Sequence, residues 1–128
     1  MAEAFLKSFD ASLQVFSAGT KPAPRVHPKA VAAMRELGID ISGAFPKNVE
    51  EFIEHRFDFV ITVCDDARET CPVFVGNVKN RLHMGFDDPA IATGTDAEVM
   101  TVFRRVRDEI QQQFTALYFE QIKPLLTT

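Results

Sequence analysis

The stretch Phe57-Asp58-Phe59-Val60-Ile61-Thr62-Val63 constrains the fold more than any other part of this chain. Its apolar run from Phe59 to Val63, broken only by Thr62, predicts a strand buried on both faces. A strand wet on one side would alternate apolar with polar residues. Covering both faces takes helices, and the flanking sequence supplies them. From Asp96 onward, Val99, Val102, Phe103, Val106, Ile110, Phe114 and Leu117 recur at helical spacing, with Asp96 the expected cap. His27-Pro28 opens another helix, with Pro28 in the first turn, where its missing N–H costs nothing. Val31, Met34 and Leu37 form the buried stripe of that helix, and Gly38 takes the C′ position. Met1 to Phe9 reads as a third helix, apolar at Met1, Ala4, Phe5 and Phe9 and without an N-cap. Asn48 is placed to cap a short helix through Val49, Phe52 and Ile53. Two further strands are expected, Leu13 to Ala18 ending at Gly19, and a weaker one at Arg81 to Met84. Strands alternating with helices predict an α/β fold, a parallel sheet flanked by helices. The 128 residues suit one domain, 1–128, able to bury a core without a disulfide or metal staple.

Charge narrows the function classes. The formal net charge is -4, with no long block of one sign, which argues against nucleic acid and against an anionic membrane as partners. No apolar run approaches the ~18 residues needed to span a bilayer. Glu3 stands where a secretory signal would carry bases, so a cytoplasmic location is expected. There, two cysteines point to redox or metal chemistry rather than to a static staple. His27, His55 and His83 form no ligand-spaced cluster, so no metal is expected. No glycine-rich phosphate loop is present, and no cofactor is expected.

In parallel sheets the chemistry gathers at the C-terminal ends of the strands. Cys64 follows directly on Val63, and Cys71 lies seven residues later. On a helix that spacing puts both thiols near one face but ~10 Å apart along the axis. A disulfide needs Cα atoms within about 7 Å, so the pair closes only if the segment bends or unwinds. A motif that must change shape to be oxidised suits a redox switch; the alternative is two cysteines buried as small apolar residues. Gly85-Phe86-Asp87-Asp88-Pro89 follows the weaker strand. Asp88, held extended by Pro89, could protonate a leaving oxygen as a general acid, or Asp-Asp-Pro could be a simple turn. Ser17, Ser42 and His27 suggest no triad, and Arg25 and His27 suit either an anion or plain solvent. Arg104, Arg105 and Arg107 are expected on the exposed face of the last helix.

Taken together, the segments resemble the thioredoxin-coupled arsenate reductases, which share the fold of low-molecular-weight tyrosine phosphatases. The resemblance rests on Met-Ala-Glu-Ala-Phe (1–5), Ser-Ala-Gly-Thr (17–20), Val-His-Pro (26–28) and Leu-Gly-Ile-Asp-Ile-Ser (37–42). It continues through Phe-Asp-Phe-Val-Ile-Thr-Val-Cys (57–64), Cys-Pro (71–72), Gly-Phe-Asp-Asp-Pro (85–89) and Phe-Arg-Arg-Val-Arg-Asp-Glu-Ile (103–110), in family order. It implies three thiols. One, in a Cys-x5-Arg anion loop after the first strand, attacks arsenate. The second, matching Cys64, attacks the first and releases arsenite. The third, matching Cys71, resolves that disulfide, and thioredoxin reduces the Cys64–Cys71 product. Asp88 matches the general acid. The segment equivalent to Met1-Ala2-Glu3 follows the anion loop in that family, so the first strand, the nucleophilic cysteine and the loop arginine are expected to be absent here. Arsenate or a phosphate-like oxyanion is then bound only if the loop is supplied. Met84 stands where many relatives carry Trp. Because the first strand is central in that fold, its loss opens two edges, to be closed by upstream residues, a homodimer or strand exchange, or a partner chain. The resemblance thus implies an arsenate reductase inactive as this chain alone. The alternatives are a non-catalytic redox-sensing or binding module, or a tyrosine phosphatase relative.

Overall fold

A computed structural model describes residues 1–18, 26–44, 47–52, 54–63 and 77–126. The chain divides into two units.

The first unit comprises Met1–Phe16, Val26–Ala44 and Pro89–Thr128. It holds helices α1 (Ala2–Phe9), α2 (Pro28–Arg35) and α3 (Asp96–Leu117). A π-helical turn at Tyr118–Ile122 leads into α4 (Lys123–Leu126). The long helix starts at a capping box: the Thr95 hydroxyl accepts from the Glu98 N–H (3.2 Å), and the Glu98 carboxylate accepts from the Thr95 N–H (3.5 Å). The cap is therefore Thr95, not the expected Asp96. Thr95 is still extended (φ −69°, ψ 163°), whereas Asp96 is already helical, where its charge favours the positive end of the dipole. Phe103, Val106, Ile110, Phe114 and Leu117 make the buried stripe, and α1 and α2 both pack on α3. Facing it are Phe5 and Leu6 of α1 and Ala30, Ala33 and Met34 of α2. As expected, α1 has no side-chain cap. Its far end is tied instead, the Tyr118 hydroxyl donating to Asp10 Oδ2 at 2.7 Å.

Two further expectations for the helices of this unit need correction. Arg107 is buried, not on the exposed face with Arg104 and Arg105. It falls four residues after Phe103 and three before Ile110, within the stripe, and its guanidinium is satisfied there. It donates to the Ala33 carbonyl (2.9 Å), to Glu36 Oε1 (2.7 Å) and to Asp108 Oδ1 (2.8 Å). The Ala33 carbonyl belongs to the last turn of α2, where no intrahelical donor remains. Leu37 is exposed rather than buried. The helix ends before it in a Schellman turn: Gly38, at φ +78°, donates to the Arg35 carbonyl, and Ile39 donates to the Met34 carbonyl. Gly38 thus holds the C′ position expected of it. The other end of α2 is capped by His27, whose Nδ1 accepts from the Lys29 N–H at 3.1 Å.

Glu36 joins α2 to α3. Hydrogen bonds from Arg104, which grips both carboxylate oxygens, and then from Arg107 hold its pKa down to about 2. A depressed carboxylate stabilises the fold above its unfolded pKa, near 4.5, and that contribution fades as pH falls toward 2. Glu36→Gln is therefore expected to lower the melting temperature at pH 7 and to approach the parent as pH falls to about 2. Thermal unfolding at the two pH values checks this; an undiminished difference in acid would rule out the ion pair as its source.

The second unit comprises Ser17–Arg25 and Phe45–Asp88. Strands β1 (Arg56–Thr62) and β2 (Asn77–His83) run parallel, in register from Arg56↔Asn77 to Thr62↔His83. The Asn48 side chain caps the 3-10 turn Val49–Phe52, accepting from the Glu50 N–H, as expected. Strand β1 is half-buried rather than enclosed on both faces, and among the described residues its sheet has two strands. Strand β2 begins four residues before the expected start. Val78, Asn80 and Leu82 are its half-buried side, and polar Asn80 interrupts the apolar alternation. Asn80 is satisfied there by donating to the Asp58 carbonyl at 3.0 Å. The segment Leu13–Ala18, expected to be a strand, belongs to no ladder among the described residues. It keeps the alternation of one, with Leu13 and Val15 half-buried and Gln14 and Phe16 exposed. A strand needs a neighbour to bond, which its own pattern cannot supply.

Candidate functional site

The C-terminal ends of β1 and β2 form the rim where the sequence places its chemistry. Thr62 and His83 are the last pair of the ladder. Beyond them the main chains stay joined: the Met84 N–H donates to the Thr62 carbonyl (2.8 Å), and the Phe86 N–H donates to the Val63 carbonyl (3.2 Å). In the parallel pattern set by Thr62↔His83, the bond from Phe86 is due one residue later on the first strand. Val63 takes it early, so the ladder ends there with the Val63 side chain exposed. Side chains close the same rim: Thr62 Oγ1 and His83 Nδ1 share a hydrogen bond of 2.6 Å.

Of the expected site residues, Cys64 and Cys71 lie outside the described residues. Cys64 is nonetheless bonded to Val63, whose carbonyl is fixed by Phe86. Asp87 and Asp88 are exposed in the irregular stretch between β2 and the 3-10 turn Pro89–Ile91, one and two residues beyond buried Phe86. The chain therefore reaches Asp88 from one member of the Val63–Phe86 bond and Cys64 from the other. His27 is committed to the α2 cap, with its ring 4.7 Å from that of Phe103, and Ser42 donates its N–H to Asp40 in a local turn. Arg25 falls outside the described residues. Among the described residues, no three His, Cys, Asp or Glu side chains gather as a metal site. A cleft of about 330 Å³ lined by Arg56, Phe57, Asp58, Val78 and Lys79 opens at the opposite, N-terminal ends of the strands.

Sequence reasoning missed the Thr62–His83 pair. Its signal was Thr62 itself, the single polar break in the apolar run, but the register that sets His83 opposite it is not written in either strand alone. The rim thus offers a hydroxyl and an imidazole, and the chain runs on from it into Asp87 and Asp88 on one side and Cys64 on the other.

Residues 1–125 match the low molecular weight phosphotyrosine protein phosphatase family. The arsenate reductase of Halalkalibacterium halodurans is 50% identical over 96 residues, 75% of this chain and 68% of that protein. The arsenate reductase of Bacillus subtilis is 45% identical over 111 residues, 86% of this chain and 78% of that protein. Among solved structures, an arsenate reductase in the phosphate binding state superposes with a TM-score of 0.72 at 32% identity, over 91% of this chain and 83% of that one. An arsenate reductase in the oxidized state gives 0.68 at 31% identity, over 88% and 80%. The α/β fold with its parallel sheet is therefore of the low-molecular-weight phosphatase type.

Proposed function

The chain belongs to the arsenate reductases of the low molecular weight phosphotyrosine protein phosphatase family, and from that premise we propose that its residues form the relay half of a thioredoxin-coupled arsenate reductase. The similarity to named arsenate reductases at 45–50% identity carries this reading. The chain order at the rim supports it, with Cys64 next to Val63 and Asp88 two residues past Phe86.

Arsenate takes two electrons from two thiols and leaves as arsenite. The 128 residues hold two cysteines, and the mechanism uses three. A third thiol, in a loop of backbone N–H groups and an arginine that cradles the oxyanion, makes the first arsenic–sulfur bond. Cys64 then attacks that sulfur, which releases arsenite and forms a first disulfide. Cys71 attacks Cys64, frees the loop thiol and leaves Cys64–Cys71 oxidised. Thioredoxin, in the reducing cytoplasm, supplies the two electrons that restore the pair. Asp88 gives a proton to the departing oxygen. The 128 residues act in this as one domain.

Thioredoxin-dependent reduction of arsenate by these residues, joined to a segment carrying a Cys-x5-Arg loop, tests the proposal. Turnover is expected; its absence in a folded protein ends the reading.

A further inference from the structure

At the end of the sheet away from the rim, Arg56, Phe57, Asp58, Val78 and Lys79 line a cleft of about 330 Å³. That volume is at the lower end of the range for small-molecule sites. Arg56 and Thr62 are the two ends of β1, roughly 20 Å apart at the rise of a strand, so the cleft is separate from the rim. Alternation along β1 sets Arg56 and Asp58 on its exposed side. The register, Phe57↔Val78 and then Phe59↔Asn80, sets exposed Lys79 level with Asp58. Opposite charges level on neighbouring strands attract one another, yet these two form no ion pair. Arg104, Arg105 and Arg107 of α3 are each held by a carboxylate, whereas Arg56 and Lys79 enter no ion pair among the described residues. Two cations against one carboxylate leave this lining with a surplus positive charge, in a chain whose formal net charge is -4. Half-buried Phe57 and Val78 supply an apolar wall. The Phe57 ring is braced against Phe52, with centroids 6.3 Å apart, and against His55 at 6.1 Å.

We propose that this cleft binds a small organic monoanion, a carboxylate carried on a flat apolar body. The Arg56 guanidinium presents parallel N–H donors that match a planar carboxylate, and the Lys79 ammonium adds a point charge beside it. Phe57 and Val78 take the flat body, which an aromatic ring suits best. Asp58 sets the charge of the ligand. One negative charge cancels the surplus of the lining, whereas the second charge of a dianion meets the Asp58 carboxylate and is repelled. The cleft thus discriminates against a dianionic oxyanion and in favour of a carboxylate.

The test titrates 2-naphthoate into the 128-residue chain and follows the heat and the backbone amide shifts. The thiols take no part, so the result is independent of the relay proposed above. Saturable binding is expected with a Kd on the order of 1 mM, the range for a ligand of this size in an open cleft. The shifts should gather at Arg56, Phe57, Asp58, Val78 and Lys79. The uncharged analogue 2-naphthylmethanol should bind roughly ten-fold more weakly, and inorganic phosphate in roughly ten-fold excess should not displace the naphthoate. Arg56→Gln and Lys79→Gln should each weaken binding about three- to ten-fold, as for a lost charge-assisted contact. Arg105→Gln removes the same charge from α3 and should leave binding unchanged. Asp58→Asn should tighten binding about two- to five-fold, a gain that a damaged fold does not produce. All four of these residues are exposed, so the variants keep the fold. No saturation, equal binding of the alcohol, or displacement by phosphate overturns the proposal. So does indifference of binding to Arg56→Gln and Lys79→Gln, a loss in Arg105→Gln equal to theirs, or a failure of Asp58→Asn to tighten it.

Discussion

Arsenate reduction by the 128 residues with thioredoxin is expected to stay at background, and to begin when a segment carrying a Cys-x5-Arg loop is joined to them. Two thiols can close a disulfide, but they leave no third to make the first bond to arsenic while the pair remains free to resolve it. In the joined protein the three groups should fail in different ways. Cys64→Ser should abolish arsenite release, a loss on the order of 10⁶-fold by analogy with the removal of other catalytic nucleophiles. Cys71→Ser should release one equivalent of arsenite and stop, with Cys64 locked to the loop thiol. Asp88→Asn should slow turnover about 10²- to 10⁴-fold without changing which disulfides form, as expected for a lost proton donor. Quantifying arsenite per protein in single and multiple turnover separates the three. Continued turnover in Cys71→Ser would remove Cys71 from the relay.

Phe103→Ala carries the largest expected effect on stability. The ring is 1% exposed, begins the α3 stripe and lies tilted against His27, the cap of α2, with ring centroids 4.7 Å apart. Its loss should cost about 3–5 kcal/mol, since the cavity left between helices collapses only in part. For a chain of this size that is a fall of about 10–20 °C in melting temperature. Phe119→Ala is the matched control. That ring is 52% exposed, so the same truncation should cost less than about 1 kcal/mol. Similar losses from the two would mean that the stripe is not the core.

How much of this was legible in the sequence depended on whether the deciding interaction was local. The α3 stripe from Phe103 to Leu117 is a repeat of 3.6 and was visible without a partner. The Gly38 stop and the Asn48 cap were visible for the same reason, as each bonds within four residues. Arg107 was misjudged because its burial depends on Ala33 and Glu36, more than 70 residues away in sequence. Leu37 was misjudged because the helix ends at Arg35, so Leu37, next to the Gly38 stop, no longer continues its buried face. The strands fared worst. Leu13–Ala18 has the alternation of a strand and no ladder, and β1 has the composition of an enclosed strand but is half-buried. Both features reflect neighbours, and neighbours are set by topology.

At the site, the positions after Val63 and Met84 could be picked out in advance because parallel sheets present chemistry at their C-terminal ends. The early bond from Phe86 to Val63 and the hydrogen bond between Thr62 and His83 could not, because each depends on register.

The relay stands or falls on whether Cys64 and Cys71 bond to each other. The direct measurement is peptide mapping by mass spectrometry after mild oxidation of the 128-residue chain and again after treatment with thioredoxin. The account predicts a Cys64–Cys71 linked peptide within single chains, lost when thioredoxin is added. Two free thiols after oxidation, or bonds formed only between chains, would contradict it.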